Sequence, residues 1–243
     1  MWNPWHGCKK ISEGCLNCYM SEQDKQYKVD STKVKKCTSK IKDLVAKDRK
    51  GLFKIPSGVK VGTCFTSDFF IEEADEFREE AYSLMELRED LTYFVITKRP
   101  ERLEECLPPI GHPVRDILEI NVTTENQKRA DERIPALLNT DLKYRGIVVA
   151  PILEKVDLRK YLATGKIDCV SAGGESHLNN ARICKYEWIL DLYNQCKEYN
   201  VAFYFHQTGS RFVKDNNLYK VAMNLEKEQA LKANINFMPK IIR

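Results

Sequence analysis

The sequence predicts an α/β protein: an open (partial) parallel β/α barrel of about six strands, in a single domain over residues 1–243. Three observations lead there. Short, continuous apolar runs recur along the chain, each followed by an amphipathic stretch of helical period, the pattern of a parallel sheet covered by helices. The length of 243 residues and a hydrophobic content of 43% suit one large domain with one core. No Gly-x-Gly-x-x-Gly or Gly-x4-Gly-Lys-Ser/Thr element follows any run, so the doubly wound dinucleotide and P-loop folds lack their phosphate loops.

Taken in order, residues 21–50 read as helix, broken near Asp30 and Ser31 and ended by the turn Ile55-Pro56-Ser57-Gly58. A β-rich run at 59–65 follows, then an acidic helix in which Ile71, Ala74, Phe77, Ala81, Leu84 and Met85 keep helical spacing. The unit repeats: a strand at 93–97 before a helix from about Glu101; 117–122 before 125–138; 146–150 before 157–163; 169–172 before 186–199. A last strand at 201–205 leads to His206, Gln207 and a polar, partly helical tail.

The net charge of +4 hides an asymmetry: residues 25–54 hold eleven Lys or Arg against three aspartates, +8, leaving −4 elsewhere. Such a patch is either a solvated face or the electrostatic footprint of a phosphate backbone, and few aromatics interleave it to stack bases. A polar, aromatic start and no long apolar run predict no membrane contact and a cytoplasmic location. Nine cysteines, an odd number, fit a reducing compartment.

Three of those cysteines, Cys8, Cys15 and Cys18, fall within eleven positions flanked by Gly7, Gly14, Trp2 and Trp5, a composition suited to a loop around an inorganic centre. Three thiolates leave one iron of a cluster free to bind a small molecule. Competing readings are a structural zinc site with Cys37 as fourth ligand, or buried thiols without metal. Elsewhere, reactive groups of β/α folds sit just past the carboxyl ends of strands. That rule selects Ser67 and Asp68; Thr97, Lys98 and Arg99; Asn121, Thr123, Glu125 and Asn126; Pro151 and Glu154; Gly173, Gly174, Glu175 and Ser176; and His206, Gln207 and Gly209. For Ser67, Asp68, Thr123 and Ser176 helix capping is an equal alternative. Paired glycines at 173 and 174 allow close backbone approach to a ligand.

Trp2-Asn-Pro-Trp5 followed by Cys-x6-Cys-x2-Cys-Tyr19 resembles the widened cysteine motif of short radical S-adenosylmethionine (SAM) proteins, many first catalogued as phage-type proteins of unknown function. The usual loop of that group has three residues between its first two cysteines and an aromatic before the third. Here the gap is six, Asn17 precedes Cys18, and Tyr19 follows it. Lys98-Arg99, Gly173–Ser176 and His206-Gln207-x-Gly209 match further family signatures, with His206 where a lysine is usual. The resemblance implies a partial β/α barrel, a 4Fe-4S cluster on Cys8, Cys15 and Cys18, and bound SAM. Given bound SAM, strand order places Ser67 and Asp68 for its amino group, Asn121, Thr123 and Glu125 for its ribose, and Lys98 either for its carboxylate or on the substrate side. Glu154, Glu175, His206 and Gln207 are candidates for the substrate, with Glu175 or His206 moving any proton. An electron donor such as flavodoxin or ferredoxin follows as partner. Likeness over nearly the whole chain implies a lyase acting on a queuine-like 7-deazaguanine base; a nucleic-acid substrate and a non-catalytic zinc module are the alternatives.

Overall fold

From the amino-terminal end the chain forms β1 (Trp5–His6), α1 (Tyr19–Gln26), β2 (Lys35–Lys36) and β3 (Lys60–Thr63). It continues through α2 (Asp75–Glu86), β4 (Thr92–Thr97), α3 (Leu103–Cys106), α4 (Val114–Ile117), β5 (Leu118–Thr123), α5 (Gln127–Leu138), β6 (Tyr144–Val149) and α6 (Arg159–Leu162). Then come β7 (Cys169–Gly173), β8 (Cys184–Lys185), α7 (Tyr186–Glu198), β9 (Ala202–Gln207), β10 (Arg211–Lys214), β11 (Asn217–Lys220) and α8 (Glu226–Lys232). This computed structural model describes residues 1–177 and 180–239.

Six strands form one all-parallel sheet in the order β3-β4-β5-β6-β7-β9. Each strand pairs with the preceding strand of this sheet, so the winding never reverses and the sheet curls into an open half-barrel covered by helices. Alternation along the strands shows the two faces. Tyr93, Val95, Ile120, Val122, Val170, Ala172, Phe203 and Phe205 are buried under the helices, whereas Phe94, Ile96, Ser171, Tyr204 and His206 lie on the concave face and are less buried. An isolated bridge partly covers each outer edge, which shortens the template for pairing with another chain. The Trp2 amide bonds the Gly62 carbonyl at 2.8 Å beside β3, and Phe203 and Phe237 exchange backbone bonds of 2.8 and 2.9 Å beside β9.

The expected helix at 21–50 is only α1. Beyond it the chain is an excursion of mostly irregular structure held by tertiary contacts: β2 pairs antiparallel with β1, and Ile41 and Leu44 enter the core. Arg88, fully buried, donates to the Leu44 carbonyl at 2.8 Å and the Ile55 carbonyl at 2.7 Å. Long-range contacts therefore override the helical propensity of a lysine-rich stretch. Of its eleven cations, Lys25, Lys33 and Lys36 pair with Glu22, Asp30 and Glu80, and the other eight make no ion pair among the described residues. The tail carries a two-stranded hairpin, β10–β11, as well as its helix. No helix among the described residues is long and apolar enough to cross a membrane.

Candidate functional site

The loop bearing Cys8, Cys15 and Cys18 lies across the carboxyl ends of the strands. It leaves β1, where His6 Nε2 meets the Asp24 carboxylate of α1 at 2.9 Å, and turns at Gly7. Gly7 has φ +98°, and a Cβ there would lie 2.3 Å from the Lys33 carbonyl oxygen, so the turn requires glycine. Cys15 ends a 3-10 turn, Glu13–Cys15, and Cys18 is the N-cap residue of α1. The Tyr19 hydroxyl donates to the Phe65 carbonyl and ties the start of α1 to the segment after β3.

Three carboxylate–arginine pairs, each with its carboxylate buried, fasten this loop to the sheet. After β3, Asp68 accepts from Phe70 N and Thr97 Oγ1 on one oxygen, and from Lys98 N and Arg99 Nη1 on the other. Arg99 then reaches the Lys9 carbonyl at 2.9 Å and Cys8 Sγ at 3.9 Å. After β5, Glu125 accepts from Arg133 Nη1 at 2.7 Å and from the Gly14 amide at 3.2 Å. After β7, Glu175 accepts from Asn17 Nδ2 at 2.9 Å and from Arg182, which also donates to the Glu13 carbonyl at 2.9 Å. A buried carboxylate costs several kcal/mol unless a cation and hydrogen bonds compensate it, and each pair meets that demand with loop groups among the partners. Burial raises the carboxyl pKa of Glu125, but the Ser12 hydroxyl, Arg133 and Lys98 outweigh it and hold the group below the usual range. Glu175 is likewise raised by burial and brought below that range by Arg182 and Asn17.

These placements revise several expected roles. Ser67 donates its hydroxyl to the Gly7 carbonyl. Asp68, Glu125 and Glu175 have both oxygens engaged by protein donors, so they brace the loop. Glu175, ionised and doubly bonded to Arg182, suits neither an acid nor a free base. Glu154 is exposed and accepts from the Gln127 amide at 2.9 Å, capping α5 away from the concave face. Gln207 donates to the Gly174 carbonyl at 2.9 Å and to Ser176 Oγ at 2.7 Å, bracing that turn, while Ser176 bonds the buried Glu226. A Cβ at Gly174 would sit 2.2 Å from the Thr208 carbonyl oxygen, so this glycine lets two backbones cross and does not make room for a ligand. His206 lies against Gly173, and burial with Lys227 nearby pushes its pKa down to about 4. It is neutral at pH 7 and does not supply the charge of the usual lysine.

Four of the selected residues keep binding capacity. The buried Thr123 hydroxyl, at the end of β5, has no partner among the described residues. Asn121, on the same face, donates to the Val95 and Glu119 carbonyls at 3.3 and 3.1 Å and lays its amide oxygen over Gly146. Lys98 makes no ion pair among the described residues, and its ammonium is close enough to lower the pKa values of both Cys15 and Glu125. It borders a cavity of about 280 Å³ between the loop and α5, with Ile11, Arg99, Arg129 and Arg133. His206, as neutral imidazole, can still donate or accept. Sequence reasoning missed Arg133 and Arg182. Arg133 carried a signal, since it falls in the apolar stripe of α5 with Ala130, Ile134 and Leu137.

The three loop cysteines are free and half-buried. Burial and Asp68 push the Cys8 pKa up to about 11 against Arg99, whereas Lys98 and hydrogen bonds within the loop overcome burial and lower that of Cys15. Cys37 directly follows β2, and its amide donates to the Pro4 carbonyl at 2.8 Å. Thiolates of a zinc site stand within about 4 Å of one another. Among the described residues no three His, Cys, Asp or Glu converge on a single ion.

Fold and site define an open parallel β/α half-barrel with a three-cysteine loop pinned across the carboxyl ends of its strands. The model of a protein family of unknown function, DUF5131, matches residues 1–235, and the chain belongs to that family. Neither a curated protein nor a solved structure matches it.

Proposed function

We propose that this chain is a radical SAM enzyme that carries a 4Fe-4S cluster on Cys8, Cys15 and Cys18 and acts on a small 7-deazaguanine base. The enzyme it would resemble is queuine lyase, which releases 7-aminomethyl-7-deazaguanine from queuine in queuosine salvage, a tRNA modification pathway. The observation that carries the reading is the loop itself: three free thiols, held by carboxylate–arginine pairs over the mouth of a half-barrel. Each thiolate of a cluster takes its own iron, so the sulfurs stand farther apart than around one zinc ion, and one iron is left for a ligand.

When bound, the cluster and SAM supply reductive cleavage of SAM and a 5′-deoxyadenosyl radical that abstracts hydrogen. The residues of this chain bind, orient and exclude water. Lys98 offers the SAM carboxylate a cation beside Cys15. The unpartnered Thr123 hydroxyl, with Asn121 below it, offers ribose a donor and an acceptor. His206, neutral, can hold a polar edge of the base without adding charge, and the concave face around Phe94, Ile96 and Tyr204 supplies apolar surface for a planar ring. Residues 25–54 support a second reading, the same chemistry on a nucleic acid docked on the unpaired cations.

Anaerobic incubation of reconstituted protein with SAM, a reductant such as reduced flavodoxin, and queuine tests both. Formation of 5′-deoxyadenosine and the aminomethyl base supports the first reading. Activity only on an oligonucleotide, with steep salt dependence, supports the second. A colourless protein holding one zinc overturns both.

A further inference from the structure

Among the described residues, Cys8 is the one of the three loop cysteines given a hydrogen bond by an arginine. Arg99 Nη1 lies 3.9 Å from Cys8 Sγ and 3.0 Å from Asp68 Oδ2, and Nη2 bonds the Lys9 carbonyl at 2.9 Å. The guanidinium is itself fixed: its backbone amide bonds Thr97 Oγ1 at 2.9 Å, and Thr97 Oγ1 donates to Asp68 at 2.7 Å. Arg99 and Asp68 are both buried, so their charges act on the sulfur with little screening. Loop bracing needs only the bond to Lys9, and the reach to sulfur goes beyond that need.

We propose that Arg99, oriented by Asp68, is a positioning residue for Cys8 that sets the electron affinity of the cluster bound through it, an inference that rests on the cluster reading above. A donor and a positive charge beside a ligating thiolate stabilise the reduced, more negative cluster and raise its reduction potential. Asp68 acts in the opposite sense, because its carboxylate compensates the guanidinium. The two residues therefore form a pair with opposing effects on one sulfur, and their balance decides how readily an electron enters.

The opposing signs supply the test. Wild type, Arg99→Met, Arg99→Lys and Asp68→Asn are reconstituted anaerobically, iron and sulfide are measured, and the reduced cluster is titrated by electron paramagnetic resonance. At a fixed ambient potential Arg99→Met is expected to lower the reduced-to-oxidised ratio about tenfold, about 59 mV for one electron. Arg99→Lys, which keeps the charge and loses the fork, falls between it and wild type. Asp68→Asn shifts the ratio upward. A purely structural role would lower cluster content in all three and leave the potential of the clusters that form unchanged, and that result overturns the proposal. Where Arg99→Met fails to fold, the opposed shifts of Arg99→Lys and Asp68→Asn decide, and shifts of the same sign overturn it. A wild-type protein that takes up no iron and sulfide overturns the cluster reading and this inference with it, whereas a normal cluster with unchanged potentials overturns this inference alone.

Discussion

Replacing Glu125 with glutamine separates a bracing carboxylate from a ligand-binding one. Glu125 is 0% exposed, and its Oε2 lies 2.7 Å from Arg133 Nη1, so Glu125→Gln turns an amide donor toward a buried guanidinium. Breaking a buried pair by neutralising one partner costs about 3–5 kcal/mol, because the other charge stays buried and uncompensated. Here Arg133 keeps the Thr123 carbonyl at 2.8 Å, and the glutamine carbonyl can still accept from Gly14. That places the loss at the lower end, about 3 kcal/mol, or a fall in Tm of about 6–12 °C for a chain of this size. The assay is chemical and thermal denaturation of the metal-free protein, with amide hydrogen exchange at Gly14 as a local probe. A variant within about 1 kcal/mol of wild type that has selectively lost SAM affinity would refute the bracing role and restore the sequence-based one.

Three further outcomes follow from the same contacts. In Gly146→Ala the new methyl would lie 1.9 Å from Asn121 Oδ1, forcing that amide off its strand carbonyls, and a loss of about 1–3 kcal/mol is expected in urea denaturation; an unchanged midpoint would contradict the packing. His206 has a folded pKa of about 4 against 6.5 for the free side chain, so the unfolded chain takes the proton first. Its contribution is present above pH 6.5 and is lost as pH falls toward 4, by up to about 3 kcal/mol, and His206→Gln should flatten that part of the stability profile. Arg88→Met leaves the Leu44 and Ile55 carbonyls unpaired, at about 1–3 kcal/mol each, and limited trypsin digestion should then cut first within residues 27–59; cleavage elsewhere first would count against the staple.

The six parallel strands were legible because most carry a short β-rich, largely apolar run before a helical stretch, although β3 (Lys60–Thr63) and β5, with Glu119 and Asn121, interrupt it with polar residues. Residues 27–59 were not, because what holds them lies far away in the chain: the register of β2 on β1, and the reach of Arg88 from beyond α2. The strand-end rule found Asp68, Glu125 and Glu175 at the right places, yet their roles depend on arginines brought in by other segments. Arg99 lies thirty-one residues after Asp68, Arg133 eight after Glu125 and Arg182 seven after Glu175. No local pattern says whether a carboxylate at a strand end faces a ligand or a guanidinium. The electrostatic fate of His206 was equally hidden, since the burial that neutralises it comes from packing across Gly173 and from α8.

The three pins that hold the cysteine loop stand on different staves of the half-barrel, one beyond β3 and β4, one beyond β5 and one beyond β7. The gauge of the sulfur triangle is thus written in the curl of the sheet and not in the loop's own eleven residues. A substitution deep between two strands that flattens this curvature would spread the thiols without touching them. Grafted onto a flat scaffold, the same peptide would lose the dimensions of its mould.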